Sequence, residues 1–274
     1  MKVKFLGTAA AEAIPAMYCD CETCRKARAL GGKNIRTRSQ TLIDDEMFID
    51  YPCDTYYHVL VNNINLLDIK HCLITHIHED HFYPDDFNWF EKGYSYPPQD
   101  WHGLTVYGSK DIEPWLEPRV QKSQGLLCCK PQLPFKPFKV GDYTVTALKA
   151  NHGTDNPYIY VIEKDGKTLL YANDTGLFPD ETWEYLKSSG ICFDAVSMDC
   201  NAGTSDITYT SHMGLPRNIK TRDMLIEYGI VNDNTKFILN HFSHNGGDVI
   251  YEEFSSIAEK YGFITTYDGF EIEI

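Results

Sequence analysis

His76-Ile77-His78-Glu79-Asp80-His81 follows directly on the apolar run Cys72-Leu73-Ile74. Such a run predicts a short strand over 71–75, which delivers three imidazoles and a carboxylate into one loop. In the extended start of that loop side chains repeat every second residue, so His76 and His78 point the same way. Asp80 and His81 then turn into the next element, where they can face a second ion. Neutral imidazole suits zinc, iron or manganese, and a carboxylate lowers the charge of a site that holds two dications. The competing reading, a solvated His-rich loop, does not require this spacing.

Outward from the loop, further strands are predicted over 2–6, 40–43, 47–50, 104–107, 143–148, 158–162, 168–171, 195–198 and 237–239. Most are short and rich in β-branched or aromatic residues. Helices are predicted between them over 21–30, 84–92, 181–188, 218–228 and 251–261, several with Pro or Asp near the start. Glu163-Lys164-Asp165-Gly166-Lys167 joins two strands through Asp-Gly, a hairpin signal incompatible with an all-parallel sheet. Residues 94–100, with Pro97-Pro98, read as a surface excursion.

The 274 residues are 43% hydrophobic, enough for one large domain over 1–274. A formal net charge of −14 sets a nucleic-acid backbone against repulsion, so an extended nucleic acid is not the expected partner. A small anionic substrate is compatible with that charge, because a bound metal dominates the local field. Met1 to Thr8 lacks the apolar core of a signal peptide, and no stretch approaches the ~20 apolar residues that cross a bilayer. A soluble, cytoplasmic protein with no membrane partner is expected. The nine cysteines are mostly scattered singly, which fits reduced thiols.

Residues 76–81 resemble the metallo-β-lactamase superfamily, whose signature His-x-His-x-Asp-His they match in full. The resemblance implies further ligands, and each has a counterpart: His152 in Ala150-Asn151-His152-Gly153, Asp174 in Ala172-Asn173-Asp174-Thr175-Gly176, and His241 in Leu239-Asn240-His241-Phe242. By similarity His76, His78 and His152 hold one divalent ion, Asp80, His81 and His241 hold the other, and Asp174 bridges them. The fold it implies is α/β, a four-layer αββα sandwich with the metals at one edge of the paired sheets. The chemistry it implies is hydrolysis by water activated between two ions, zinc or manganese. No Gly-x-Ser-x-Gly elbow or Walker loop competes with that reading.

Cys19-Asp20-Cys21-Glu22-Thr23-Cys24 places three thiolates in one short turn, and a tetrahedral zinc wants a fourth ligand. His244, the spare histidine in His241-Phe242-Ser243-His244-Asn245, is the candidate, giving a closed structural zinc site around segment 19–24. Three free cysteines beside a loop are the plainer alternative. Together with Gly7-Thr8-Ala9-Ala10 and Ile14-Pro15, this second cluster resembles the PhnP-like phosphodiesterase branch of the superfamily. That branch implies small cyclic phosphodiester substrates such as ribosyl cyclic phosphates, a separate structural zinc, and pairing as a homodimer. By the same similarity His212, in Thr210-Ser211-His212-Met213-Gly214, faces the substrate phosphate as general acid or electrophilic stabiliser, and Asp80 orients the attacking water.

Two features depart from the pattern. Asn240 stands where many relatives carry Thr, and the aromatic and proline-rich residues 86–101 match no part of it. Three other readings compete. A tRNA 3′-processing nuclease shares the signature, but the charge of −14 opposes it. A thioester or lactone hydrolase, or a β-lactamase, would not be expected to carry the cysteine cluster. A non-catalytic ligand-binding relative would be expected to have lost ligands, and all seven are present.

Overall fold

The computed structural model describes residues 1–207, 209–247 and 249–274. The strands of the first half are β1 (Lys2–Gly7), β2 (Gln40–Ile43), β3 (Met47–Ile49), β4 (His71–Leu73), β5 (Leu104–Gly108) and β6 (Leu127–Pro131). Those of the second are β7 (Pro137–Val140), β8 (Tyr143–Lys149), β9 (Tyr158–Lys164), β10 (Lys167–Ala172), β11 (Phe193–Asp199), β12 (Val231–Asn240), β13 (Phe263–Thr265) and β14 (Phe270–Glu273). They pair into two mixed seven-stranded sheets, ordered β14-β1-β2-β3-β4-β5-β6 and β13-β12-β11-β10-β9-β8-β7. The Asp165-Gly166 turn closes the antiparallel β9–β10 hairpin, both residues having positive φ, as the hairpin signal predicts.

Alternation along the strands divides the apolar side chains between faces. Val3, Phe5, Ile43 and Ile49 of the first sheet meet Val145, Tyr160, Leu169 and Ile238 of the second in a core between the sheets. Their neighbours Leu42, Phe48 and Val106 point outward and pack under Leu116 of α3 (Glu113–Lys122) and under Phe87, which precedes β5. On the far side Val161, Leu170 and Val196 pack under Leu186 of α4 (Asp180–Ser188), Leu225 of α5 (Leu215–Glu227) and Phe254 of α6 (Tyr251–Glu259). Burying each such side chain contributes about 1.5–3 kcal/mol, so both faces of both sheets must be covered. The result is the four-layer αββα sandwich. Of the remaining helices, α2 (Thr55–Asn62) packs against β1, and α1 (Glu22–Leu30) buries Ala27 in the core on the outer side of the second sheet.

Several elements differ from the sequence expectation. The strand over 71–75 stops at Leu73, because the Thr75 amide turns to the Asp50 carboxylate (2.8 Å) and its carbonyl accepts from Tyr158 of the other sheet (2.8 Å). That switch carries the histidine loop across the gap between the sheets. The helix over 84–92 is instead a 3-10 helix, Pro84–Phe90, whose i, i+3 spacing stacks Phe87 on Phe90. Helices α2 and α3 and strands β6, β7, β13 and β14 were not anticipated. The run Tyr56-Tyr57-His58-Val59-Leu60-Val61 has no polar face to show a helical period, and α3 contains Pro114 and Pro118, which read as breakers.

Candidate dinuclear metal centre and zinc site

Every residue of the candidate centre lies just beyond the C-terminal end of a strand. His76 and His78 follow β4, His152 follows β8, Asp174 follows β10 and His241 follows β12, so one edge of the sandwich collects them all. Asp174 and His241 both adopt positive φ, 51° and 64°, a backbone that non-glycine residues rarely hold and that surrounding packing must enforce.

The imidazoles converge in two groups. His78 Nδ1 lies 2.9 Å from His76 Nε2 and 3.0 Å from His152 Nε2. His81 Nε2 lies 3.3 Å from His241 Nε2 and 3.2 Å from Asp80 Oδ2. Asp174 stands between them: Oδ2 is 2.7 Å from His81 Nε2 and 3.0 Å from His241 Nε2, while Oδ1 faces His152 Nε2 at 3.7 Å. The opposite nitrogen of most rings is held from behind. His76 Nδ1 meets Thr75 Oγ1 at 3.0 Å, His152 Nδ1 donates to the Ser211 carbonyl (3.2 Å), and His81 Nδ1 donates to Asp50 Oδ2 (2.7 Å). Such bonds fix the tautomer and aim Nε2 inward.

The electrostatics call for cations. Four carboxylates, Asp50, Asp80, Asp174 and Asp199, are buried within this edge. Burial opposes charge on His241, yet Asp174 and Asp199 overcome it and hold the imidazole up to about 10; His81 is raised against burial by Asp174, Asp80 and Asp50. His76 and His152 are pushed down by burial, which leaves them neutral and able to ligate. Asp174 Oδ2 is buried without a properly directed hydrogen bond despite two nitrogens within 3.0 Å. A buried carboxylate oxygen in that condition costs free energy unless a cation meets it. The donor set, imidazole and carboxylate around two centres, fits two divalent ions such as zinc or manganese.

Two buried acids were missed by the sequence reading. Asp50, at the end of β3, positions His81, and Asp199, the last residue of β11, accepts from His212 Nδ1 at 2.7 Å. Asp199 also accepts from the amides of Asn201 (2.9 Å) and Met213 (3.0 Å). Both acids end an apolar strand, the same signal that marks Asp174. His212 itself sits beside the centre, its ring 4.9 Å from His152 and 5.6 Å from His241. Gly176 permits this approach, since a Cβ there would lie 1.6 Å from the Thr210 carbonyl.

The cysteine cluster forms a separate site. His244 Nδ1 lies 3.5 Å from Cys19 Sγ and 3.4 Å from Cys21 Sγ, and Cys24 Sγ completes a group whose four ligand atoms all fall within 4.8 Å. A tetrahedron with zinc–sulfur and zinc–nitrogen bonds of about 2.3 and 2.0 Å has S–N edges of roughly 3.5 Å. Burial opposes ionisation of Cys21, but hydrogen bonds from His244 and the Cys24 amide bring its thiol to about 6, in thiolate territory at neutral pH. Burial keeps the Cys24 thiol up at about 11, a proton that zinc would displace. His244 Nε2 is backed by Glu12 at 3.5 Å. The residues present fit a closed structural zinc.

The sequence profile of the β-lactamase superfamily domain matches residues 58–228. The chain belongs to this superfamily. Its architecture is similar to zinc-bound PqqB from Methylobacterium extorquens, with a TM-score of 0.78 at 17% identity over 100% of both chains. It is similar to a diphosphatase from the PhnP family, with a TM-score of 0.77 at 19% identity over 100% of this chain and 97% of that one. It is also similar to human tRNase Z, short form, with a TM-score of 0.68 at 15% identity over 100% and 99% of the two chains. No curated protein matches the sequence. The two sheets and their outer helices are thus a metallo-β-lactamase fold, in a superfamily composed largely of metal-dependent hydrolases. No helix among the described residues is long and apolar enough to cross a membrane.

Proposed function

We propose that the chain is a metal-dependent phosphodiesterase that hydrolyses small, cyclic phosphodiesters such as ribosyl cyclic phosphates. The carrying observation is the Asp199–His212 pair set against the two ligand groups. With Nδ1 donating to Asp199 Oδ2 at 2.7 Å, the imidazolium form is favoured and Nε2 carries the proton available to a substrate. A phosphodiester expels an alkoxide, which departs poorly unless protonated; a thioester expels a thiolate that needs no such help. A held general acid therefore supports an oxygen leaving group. When bound, the two ions would supply an acidified water and neutralise the phosphate charge.

Among the buried carboxylates of the site, Asp80 is the most solvent-accessible at 8%, which suits orienting the attacking water. Asp174 stands within 3.0 Å of both His81 and His241, Asp50 accepts from His81 Nδ1 (2.7 Å), and the Thr75 hydroxyl donates to Asp50 (2.8 Å). A polar cavity of about 610 Å³ adjoins His152, lined by Lys149, Asn151, Thr154, Asp155 and Asn156. Its size and hydrogen-bonding walls favour a small hydroxylated substrate over a polynucleotide, as does the charge of −14. The test is a substrate panel on protein loaded with zinc or manganese: cyclic nucleotides, ribosyl cyclic phosphates, a precursor tRNA, a thioester, a lactone and a β-lactam. Turnover of small cyclic diesters is expected. Turnover confined to the thioester, or to the tRNA, refutes the proposal.

A further inference from the structure

Residues 86–101, which match no part of the family pattern, wall a recess over the outer face of the first sheet. It is a cavity of about 340 Å³ between Tyr51, Leu67, Trp89, Phe90, Tyr96 and Trp101, and none of its lining residues belongs to either candidate metal site. The walls are set by the fold itself. Trp101 Nε1 donates to the Leu67 carbonyl (2.7 Å), and its ring stacks on Phe90 at 7° and 5.8 Å. Tyr51 is held through its backbone, its amide donating to the His81 carbonyl and its carbonyl accepting from the Tyr83 amide, both at 2.7 Å.

Two polar groups in this apolar wall lack the partners that burial calls for. Tyr51 is 8% exposed, and its hydroxyl has no hydrogen-bond partner among the described residues. Asp86 lines the same recess, and its carboxylate accepts a single long bond, from Trp89 Nε1 at 3.3 Å. Neighbouring acids have cations: Asp85 meets Arg119 at 2.5 Å, and Glu91 meets Lys122 at 3.6 Å. Asp86 has none among the described residues, and burial, with Asp85 adding to it, raises its carboxyl above the ordinary range. An acid and a phenol left open among aromatic rings weaken a core. A pocket of mostly apolar walls with a few placed polar groups is, by contrast, the usual build of a small-molecule site.

We propose that the recess binds a small amine with an apolar body, taken up as its ammonium ion. The rings receive the apolar body, and their faces attract a cation within about 6 Å. Asp86 accepts from the ammonium N–H and balances its charge, while the Tyr51 hydroxyl accepts a second N–H. The alternatives fit less well. A quaternary ammonium has no N–H for either acceptor, and an anion would face Asp86 with no Lys or Arg in the lining to hold it. The net charge of −14 also draws cations to the surface. The volume lies at the low end of the roughly 300–1,000 Å³ of small-ligand pockets, which suits one ring with a short chain.

Isothermal titration calorimetry and Trp emission on the metal-loaded full chain test the proposal without any turnover, so the outcome is independent of the hydrolytic reading. The probes are 2-phenylethylamine, 2-phenylethanol and 3-phenylpropionate, one apolar body with three charges. The amine should bind at one per chain, the alcohol roughly 10–150-fold more weakly and the carboxylate not at all. Asp86→Asn keeps the shape and an acceptor for Trp89, so fold and metal content should persist, checked by circular dichroism and elemental analysis. Amine affinity should then fall to that of the alcohol, and alcohol affinity should not change. Tyr51→Phe should weaken the amine by roughly 2–13-fold. No binding of the amine at millimolar concentration overturns the proposal, as does equal affinity for amine and alcohol, or amine binding undiminished in Asp86→Asn.

Discussion

Replacing His212 by Ala should separate substrates by how badly they need a proton at the leaving oxygen. General-acid help is worth about 10²–10⁴-fold when the departing group is a strong base. A ribosyl or nucleotide cyclic diester expels an alkoxide, so His212→Ala should lower kcat by roughly 10³-fold within that range. Bis(p-nitrophenyl) phosphate expels a weakly basic phenolate, and its loss should stay below about tenfold. Asp199→Asn removes one charge-assisted bond of 2.7 Å while keeping shape. At about 1.5–3 kcal/mol for that bond, the alkoxide substrate should slow roughly 10–150-fold. Since Asp199 acts through His212, the double variant should lose no more than His212→Ala alone. Burial opposes charge on His212, but Asp199 outweighs it and raises the imidazole above its ordinary range. The acid form is thus lost as pH rises through that raised value, and the basic limb of the wild-type kcat profile should disappear in His212→Ala. Steady-state kinetics at matched metal content is the assay, because Asp199 also lies 3.4 Å from His241 Nδ1. Equal losses on both substrates would refute the general-acid role.

Three more outcomes follow from the same geometry. Asp50→Asn takes the carboxylate from His81 Nδ1 and should weaken metal affinity by about 10–100-fold, read by chelator competition, with the fold retained in circular dichroism. Unchanged affinity would remove Asp50 from the centre. Cys21→Ser should lose one zinc equivalent by elemental analysis and lower the melting temperature by on the order of 10 °C, with less effect on kcat. A large loss of turnover at intact stability would exchange the roles of the two sites. His58 is pushed down to about 4 by burial, with Gln40 and Thr37 each 2.7 Å from its ring nitrogens. Its contribution is therefore complete above the unfolded value of 6.5 and lost as pH falls towards 4, roughly 3 kcal/mol in all. Asp268, raised by burial to about 6 and bonded to the same Thr37 hydroxyl, gains stability over nearly the same interval and offsets it. An NMR titration placing His58 at or above 6 would contradict this pairing.

How much was legible depended on whether a residue's signal was local. His76 to His81 could be read because a strand and its ligands are contiguous in sequence, and the cysteine cluster for the same reason. His152, Asp174 and His241 are single residues, visible only by the order in which a resemblance lists them. Strands β2, β3, β8, β9, β10 and β11 announced themselves by β-branched and aromatic runs. Strands β13 and β14 and helices α2 and α3 did not: the two strands are only three and four residues long, and neither helix shows a clean apolar period.

Asp50 and Asp199 show where a motif-based reading stops, and why. Asp50 bonds the far side of His81, and Asp199 bonds His212 while standing 3.4 Å from His241 Nδ1 and grouped with Asp174, so neither leaves a spacing rule in the sequence. Yet both share one physical mark with Asp174, an acid at the end of an apolar strand, where an unpaired carboxylate would be costly to bury. Three strands ending in this way on one edge of the sandwich already demand positive charge at that edge. The histidines then decide its form. Because Asp50 holds His81 and Asp199 holds His212, one acid serves the ligand set and the other serves the proton, and the separation of those duties is what the paired effects of Asp50→Asn on metal affinity and Asp199→Asn on leaving-group dependence would measure.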